Sequence, residues 1–176
     1  MDKAGLRKII RSKKLSDDYI KNSSRIIQEK VIASEIFQKS KSVFVYVSLP
    51  DEPATDTIIQ TAFSQGKTVC VPKCISDREM LAVKISSMSD LKPGAFGIRE
   101  PFAGTAVPNN FDLCIIPCVA ASYDGKRLGH GAGYYDKLLG NISTYKMCLC
   151  FGENIYDRIP MSLLDICMDI VITEVN

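Results

Sequence analysis

Three glycines at alternate positions, Gly129, Gly131 and Gly133, stand between Arg127 and the triplet Tyr134-Tyr135-Asp136. Glycine lets backbone N–H groups turn toward an anion without side-chain obstruction, and a helix N-terminus adds a favourable dipole. Lys126 and Arg127 put positive charge just ahead of the glycines, and Asp136 behind them is an acid able to face a divalent cation. The chemistry such a stretch offers is the grip of a phosphate-rich ligand together with a metal. The pattern is not a Walker A loop, because no Gly-Lys-Ser/Thr follows, and not a dinucleotide fingerprint, because the third glycine falls one position early. By itself it also describes a flexible turn from strand into helix.

Other residues could serve the same ligand. Lys3, Arg7 and Arg11 recur every four residues and form one basic stripe on a helix, with Leu6, Ile9 and Ile10 as its apolar side. The stripe is either a solvated face or, if its helix packs beside the glycine loop, an anion clamp. Glu52 lies just beyond a strand broken by Leu49-Pro50-Asp51-Glu52-Pro53. Ligands of open α/β sheets collect beyond such strand ends. Tyr134 and Tyr135 fit a packed helix start as well as an aromatic platform, and Asp169 fits a turn before a strand.

The elements that must position these residues follow from hydrophobic patterning. Ser16 reads as an N-cap, with Asp17 and Asp18 behind it, for a long helix ending near Gln38. Strands are predicted at Ser42 to Ser48, Thr68 to Val71 (ended by Pro72), Met80 to Ile85, Leu113 to Ala121, Tyr145 to Phe151 and Ile170 to Thr173. Helices are predicted at Asp56 to Ser64, capped by Gly66, and at Tyr134 to Leu139. Leu91 to Pro101 reads as a long loop with two glycines and two prolines. Strands alternating with helices predict an α/β fold with a mainly parallel sheet.

Composition narrows the function classes. The 176 residues suit one domain spanning 1–176 and can bury a sizeable core. Net charge is only +2, so bulk charge gives no argument for nucleic acid or membrane. No apolar run approaches the roughly 20 residues of a membrane span, and the charged N-terminus does not read as a secretory signal. Seven cysteines, mostly within apolar strand-like runs, read as small hydrophobes of a reduced cytoplasmic protein rather than as a zinc site.

Five pieces of the chain, in order, resemble the 5-formyltetrahydrofolate cyclo-ligase (methenyltetrahydrofolate synthetase) family. They are Lys3-Ala4-Gly5-Leu6-Arg7, Glu52-Pro53-Ala54-Thr55, Gly97-Ile98-Arg99-Glu100-Pro101, the stretch from Asp124 to Asp136, and the closing Pro160, Asp165 and Asp169 to Glu174. The long glycine motif with Tyr-Tyr-Asp is the most specific of them. The resemblance implies a three-layer α/β/α domain with a Rossmann-like, mainly parallel central sheet. It implies a monomeric ligase that uses ATP and Mg2+ to cyclise 5-formyltetrahydrofolate to 5,10-methenyltetrahydrofolate, releasing ADP and phosphate, with no nucleic-acid or membrane partner. It carries Lys3, Arg7, Arg127 and Tyr134 over as catalytic residues. Lys3, Arg7 and the run Arg127, Leu128, Gly129, His130, Gly131, Ala132, Gly133, Tyr134 and Tyr135 match ATP contacts. Arg7, Val47, Glu52 and His130 to Tyr134 match folate contacts, and Asp136 and Asp169 match magnesium ligands. Three positions depart from the common pattern: Pro53 for an aliphatic residue, Leu164 for histidine, and His130 for arginine or another polar residue.

The implied chemistry fits the residues. A formyl oxygen is a poor leaving group, and its phosphorylation gives an imidate that N10 can attack as phosphate departs. No protein nucleophile is required, so catalysis is positioning plus stabilisation of phosphoryl charge. Two other readings carry weaker signals. One is a catalytically silent nucleotide- or phosphate-binding regulator. The other is an RNA-binding module using the Lys3/Arg7/Arg11 stripe, against which near-neutral charge and the lack of an RNA-binding aromatic motif argue.

Overall fold

The computed structural model describes residues 2–76, 79–94, 97–140 and 142–176. Ala95 and Phe96, within the predicted long loop, lie outside the described residues. The helices are α1 (Lys3–Ser12), α2 (Asp17–Ala33), α3 (Glu35–Lys39), α4 (Asp56–Ser64) and α5 (Tyr134–Leu139). The strands are β1 (Ser42–Val45), β2 (Thr68–Ser76), β3 (Glu79–Ile85), β4 (Leu91–Pro93), β5 (Arg99–Pro101), β6 (Thr105–Ala106), β7 (Leu113–Pro117), β8 (Ala120–Ala121), β9 (Arg127–Leu128), β10 (Tyr145–Leu149) and β11 (Ile170–Ile172).

A seven-stranded sheet in the order β11-β10-β7-β1-β2-β3-β6 forms the middle layer. β11, β10, β7, β1 and β2 run parallel, while β3 and β6 close one edge antiparallel. Both faces are covered, as a parallel sheet requires. Val43, Val45, Leu113, Ile115, Met147 and Leu149 point to the face packed by Ile27, Val31, Phe37, Ile58 and Ile59 of α2, α3 and α4. Phe44, Cys114, Ile116 and Cys148 point to the other, packed by Leu138 and Leu139 of α5 with Phe111 and Met168. The three-layer, mainly parallel fold is thus as the sequence and its resemblance imply.

Several local expectations change. The predicted long helix breaks at Ser34, which closes α2 and whose hydroxyl then caps α3 by accepting from Phe37 N at 3.3 Å. β2 runs through Pro72 to Ser76, because β1 pairs only as far as Cys70 and leaves that edge of β2 without a ladder to break. The segment Leu91 to Pro101 holds the β4–β5 hairpin among its described residues, paired from Leu91↔Pro101 to Pro93↔Arg99. The predicted Leu113–Ala121 strand is two: the chain leaves the sheet after Pro117, and β8 turns back to pair with β9.

That departure makes the seat for α1. Val119, Ala120 and Leu128 of the β8–β9 hairpin, with Ile159, bury Leu6 and Ile10. Burying each such side chain contributes about 2 kcal/mol. Asp2 caps the helix by accepting from Gly5 N at 2.8 Å. Among the described residues, no helix is long and apolar enough to cross a membrane.

Candidate active site

From β1 the sheet grows one way through β2 and the other way through β7, so the strand order reverses between β1 and β7. Ligands of open α/β sheets bind beyond the C-terminal ends of the strands at such a point. Here β1 leads into the segment from Tyr46 to Glu52, and β7 leads through the β8–β9 hairpin into the glycine loop.

The two segments meet. Leu49 to Glu52 form a tight turn closed by Glu52 N donating to Leu49 O at 3.1 Å, with Pro50 in its second position. Glu52 is only 7% exposed; its Oε2 accepts from Leu49 N at 2.9 Å and its Oε1 lies 2.9 Å from His130 Nε2. Val47 is buried on the same segment. Tyr46 below it is buried, its hydroxyl donating to Pro53 O at 2.6 Å.

α1 closes the other side. Arg7 Nε donates to Gly129 O at 2.8 Å, and Arg11 Nη2 lies 3.5 Å from His130 O. A Cβ on Gly131, whose φ is +118°, would stand 3.7 Å from Arg7 Cζ, so the guanidinium lies against the glycine. An open cleft of about 530 Å³ is lined by Ala4, Arg7, Lys8, Arg11, Ser12 and His130. The basic stripe therefore packs beside the glycine loop.

Lys3, one turn earlier, donates to Ser162 Oγ at 3.3 Å and pairs with Asp165. Burial works against the Asp165 charge, but bonds from Lys3 and from Ser162 hold its carboxyl below the usual range. Ile166 N, the next residue, donates to Asp136 Oδ1 at 3.2 Å. The segment that carries Asp165 is thereby joined to Asp136.

Asp169 does not join them. It precedes β11 at the N-terminal end of the sheet, where it accepts from Lys146 N at 2.7 Å and pairs with Lys146 Nζ at 3.1 Å. The glycine loop lies past the C-terminal end of β7. The acid brought to Asp136 is Asp165, four residues earlier. The sequence signal that separates the two is Asp165's loop position against Asp169's strand-start position. Among the described residues, no three His, Cys, Asp or Glu side chains cluster as a dedicated metal cage. Asp136 and Asp165 offer oxygen ligands of the kind magnesium takes, with waters completing its shell.

The tyrosines divide their roles. Tyr134 donates from its hydroxyl to Ser76 O at 2.8 Å, tying the start of α5 to the end of β2. Tyr135 packs edge-on to Phe44, with ring centroids 6.5 Å apart, and burial followed by the Glu52 charge pushes its phenol well above the usual value. Arg127 lies beneath the loop rather than in the cleft, as Gly129 shows: a Cβ there would meet Arg127 Nη1 at 3.3 Å. α5 is only six residues long, and Arg7 and Arg11 of α1 add positive charge beside the loop that precedes it.

Residues 1–174 match the 5-formyltetrahydrofolate cyclo-ligase family. The chain belongs to that family. A 5-formyltetrahydrofolate cyclo-ligase of Mus musculus is 31% identical over 98% of this chain and 93% of its own length. A probable 5-formyltetrahydrofolate cyclo-ligase of Caenorhabditis elegans is 35% identical over 92% of this chain and 86% of its own. The NMR structure of Aquifex aeolicus 5,10-methenyltetrahydrofolate synthetase superposes with a TM-score of 0.87 at 31% identity, covering 100% of this chain and 91% of that one. A Mycoplasma pneumoniae 5,10-methenyltetrahydrofolate synthetase shares the fold, with a TM-score of 0.81 at 24% identity.

Proposed function

We propose that this chain is an ATP-dependent ligase that closes 5-formyltetrahydrofolate to 5,10-methenyltetrahydrofolate, with ATP and magnesium bound along α1 and the glycine loop. The observation that carries the reading is the contact of Arg7 Nε with Gly129 O at 2.8 Å, which sets a basic helix against a glycine-rich turn at the sheet's reversal point. Family membership supports the substrate.

In this reading Lys3 and Arg7 meet the ATP phosphates with the loop from Arg127 to Tyr135. The loop brings backbone N–H groups of Gly129, His130, Gly131, Ala132 and Gly133 close to the ligand. Val47, Glu52 and the His130–Tyr134 run face the folate. The formyl oxygen takes the terminal phosphoryl group of ATP, and N10 then displaces phosphate from the resulting imidate. The chain's contribution is alignment and positive potential where negative charge moves, which is where enzymes gain most in phosphoryl transfer. Asp136 and Asp165 are the residues that would hold magnesium, which would supply further positive charge at the phosphates. Asp169 serves the β10–β11 ladder.

The test is an assay with 5-formyltetrahydrofolate, ATP and magnesium, omitting each in turn and following the near-ultraviolet absorbance of methenyltetrahydrofolate. Product is expected only with all three. Turnover without ATP, or none with the full mixture, overturns the proposal. The second result would leave a silent nucleotide-binding protein on the same fold.

A further inference from the structure

Closing the folate ring leaves one proton to be placed. N10 begins as a secondary amine, N10–H. When its lone pair forms the bond to the formyl-derived carbon, the nitrogen becomes cationic and must release that proton. The C–O bond to phosphate then breaks, and phosphate leaves with the bonding electrons. A base at N10 assists this step without becoming covalently attached.

The chain holds a single histidine, and it stands in the glycine loop. His130 Nε2 lies 2.9 Å from Glu52 Oε1, joining the loop that follows the β8–β9 hairpin to the turn after β1, beyond the C-terminal ends of β1 and β7. Where Nε2 donates to that carboxylate oxygen, Nδ1 is the ring nitrogen left to accept. Glu52 is itself fixed: it is 7% exposed and its second oxygen accepts from Leu49 N at 2.9 Å. The imidazole, by contrast, has a side chain 44% exposed and lines the open cleft. A buried carboxylate orienting a reachable imidazole through one nitrogen, leaving the other for substrate, is the geometry of a positioned general base.

From these observations, and resting on the ligase reading above, we propose that His130 takes the N10 proton during ring closure and that Glu52 is the positioning residue that fixes its tautomer and orientation. The charged groups facing the imidazole are Glu52 from the turn after β1 and Arg7, Lys8 and Arg11 from α1. A base acts only when unprotonated, so the assignment gives the ring-closing step an acid limb.

The test is single-turnover kinetics of His130→Gln, recording ADP formation and methenyl product separately, with kcat measured against pH. Glutamine can still donate to Glu52 but cannot accept a proton at working pH. Product formation is expected to fall roughly 100-fold, well beyond any loss of ADP formation, and the acid limb to disappear. His130→Ala is expected to regain part of its product rate with added imidazole. Glu52→Gln is expected to displace the acid limb and lower kcat, with melting temperature recorded for every variant. Equal loss of ADP and product, or retention of the acid limb in His130→Gln, overturns the proposal. If the unsubstituted protein itself makes no methenyl product, the ligase reading fails instead, which separates the two outcomes.

Discussion

Arg127 Nη2 lies 2.9 Å from Asp136 Oδ1, with the arginine side chain 3% exposed beneath the glycine loop. Nη1 donates to Pro117 O at 3.2 Å, at the C-terminal end of β7, and Cζ lies 5.8 Å from the centre of the Tyr135 ring. One guanidinium therefore joins the sheet, the loop and the first turn of α5. Its buried Nε has no hydrogen-bond partner among the described residues. A charge so placed is a strut under the glycine loop, and it fixes which way the Asp136 carboxylate faces.

Removing that strut should cost stability as well as activity. Arg127→Met strips the charge and both bonds, leaving Asp136 and the Pro117 carbonyl without this donor. Breaking a buried pair by deleting one partner costs about 3 kcal/mol, which for a chain of this size is roughly 9 °C in melting temperature. Arg127→Lys keeps the charge but loses the fork, so its melting temperature should lie between the other two. Thermal melts of the three proteins check this; an unchanged melting temperature in Arg127→Met would remove the strut role.

The α1 cations should behave in the opposite way. Lys3 and Arg7 are half-buried, and their bonds to Asp165 and Gly129 O lie at the cleft rather than in the core. Exposed ion pairs contribute about 0–1 kcal/mol, so Lys3→Ala and Arg7→Ala should melt close to the unsubstituted protein. In the proposed reading each loses a charge-assisted contact to phosphate, and the expected result is roughly tenfold weaker ATP, the equivalent of about 1.4 kcal/mol. Binding measured by calorimetry, beside the melts, separates clamp from scaffold: unchanged ATP affinity in both variants would rule the clamp out.

How legible each element is in the sequence follows from how local its signal is. α4 and α5 lie where the spacing predicts them, because apolar period and caps are local. β2 runs past Pro72 because β1 has already left that edge, a fact of the neighbouring strand rather than of the proline. The basic stripe at Lys3, Arg7 and Arg11 is visible in the sequence, but its meeting with Gly129 depends on Val119, Ala120 and Leu128 folding back as a hairpin to seat Leu6 and Ile10. Asp165 escapes as a ligand candidate for the same reason. Only the bond from Ile166 N to Asp136 brings it to the loop, and Asp169, in the more regular context before a strand, carries the stronger local pattern.

The three aspartates make this distinction measurable. Asp136→Asn and Asp165→Asn each remove one of the carboxylates proposed to hold magnesium, and each should raise the magnesium concentration needed for half-maximal activity several-fold. Asp136→Asn should also lower the melting temperature, since Arg127 then stays buried without its anion. Asp169→Asn loosens only the start of the β10–β11 ladder and should leave the magnesium titration where it was. A shift in the Asp169 variant equal to that of Asp136 would mean that the two acids share an ion after all.

Gly125 is the most sensitive test of how the hairpin positions the site. It sits in the β8–β9 turn with φ +87°, its N–H donates to Ser122 O at 3.0 Å, and its carbonyl accepts from Met168 N at 2.8 Å. A Cβ there would lie 2.3 Å from Met168 O, so backbone must move. Gly66, with φ +69° and open space for 4 Å around the place a Cβ would take, offers the matching control for conformational strain alone. Gly66→Ala should cost about 1 kcal/mol, and Gly125→Ala about 3 kcal/mol or more once the displaced backbone is added. The displaced segment is the one that carries Asp165 and Ile166, so Gly125→Ala should also weaken magnesium and ATP together, whereas Gly66→Ala should leave both unchanged. Equal melting temperatures for the two variants would show that the Met168 contact yields freely, and would remove with it the idea that this turn holds Asp165 beside Lys3.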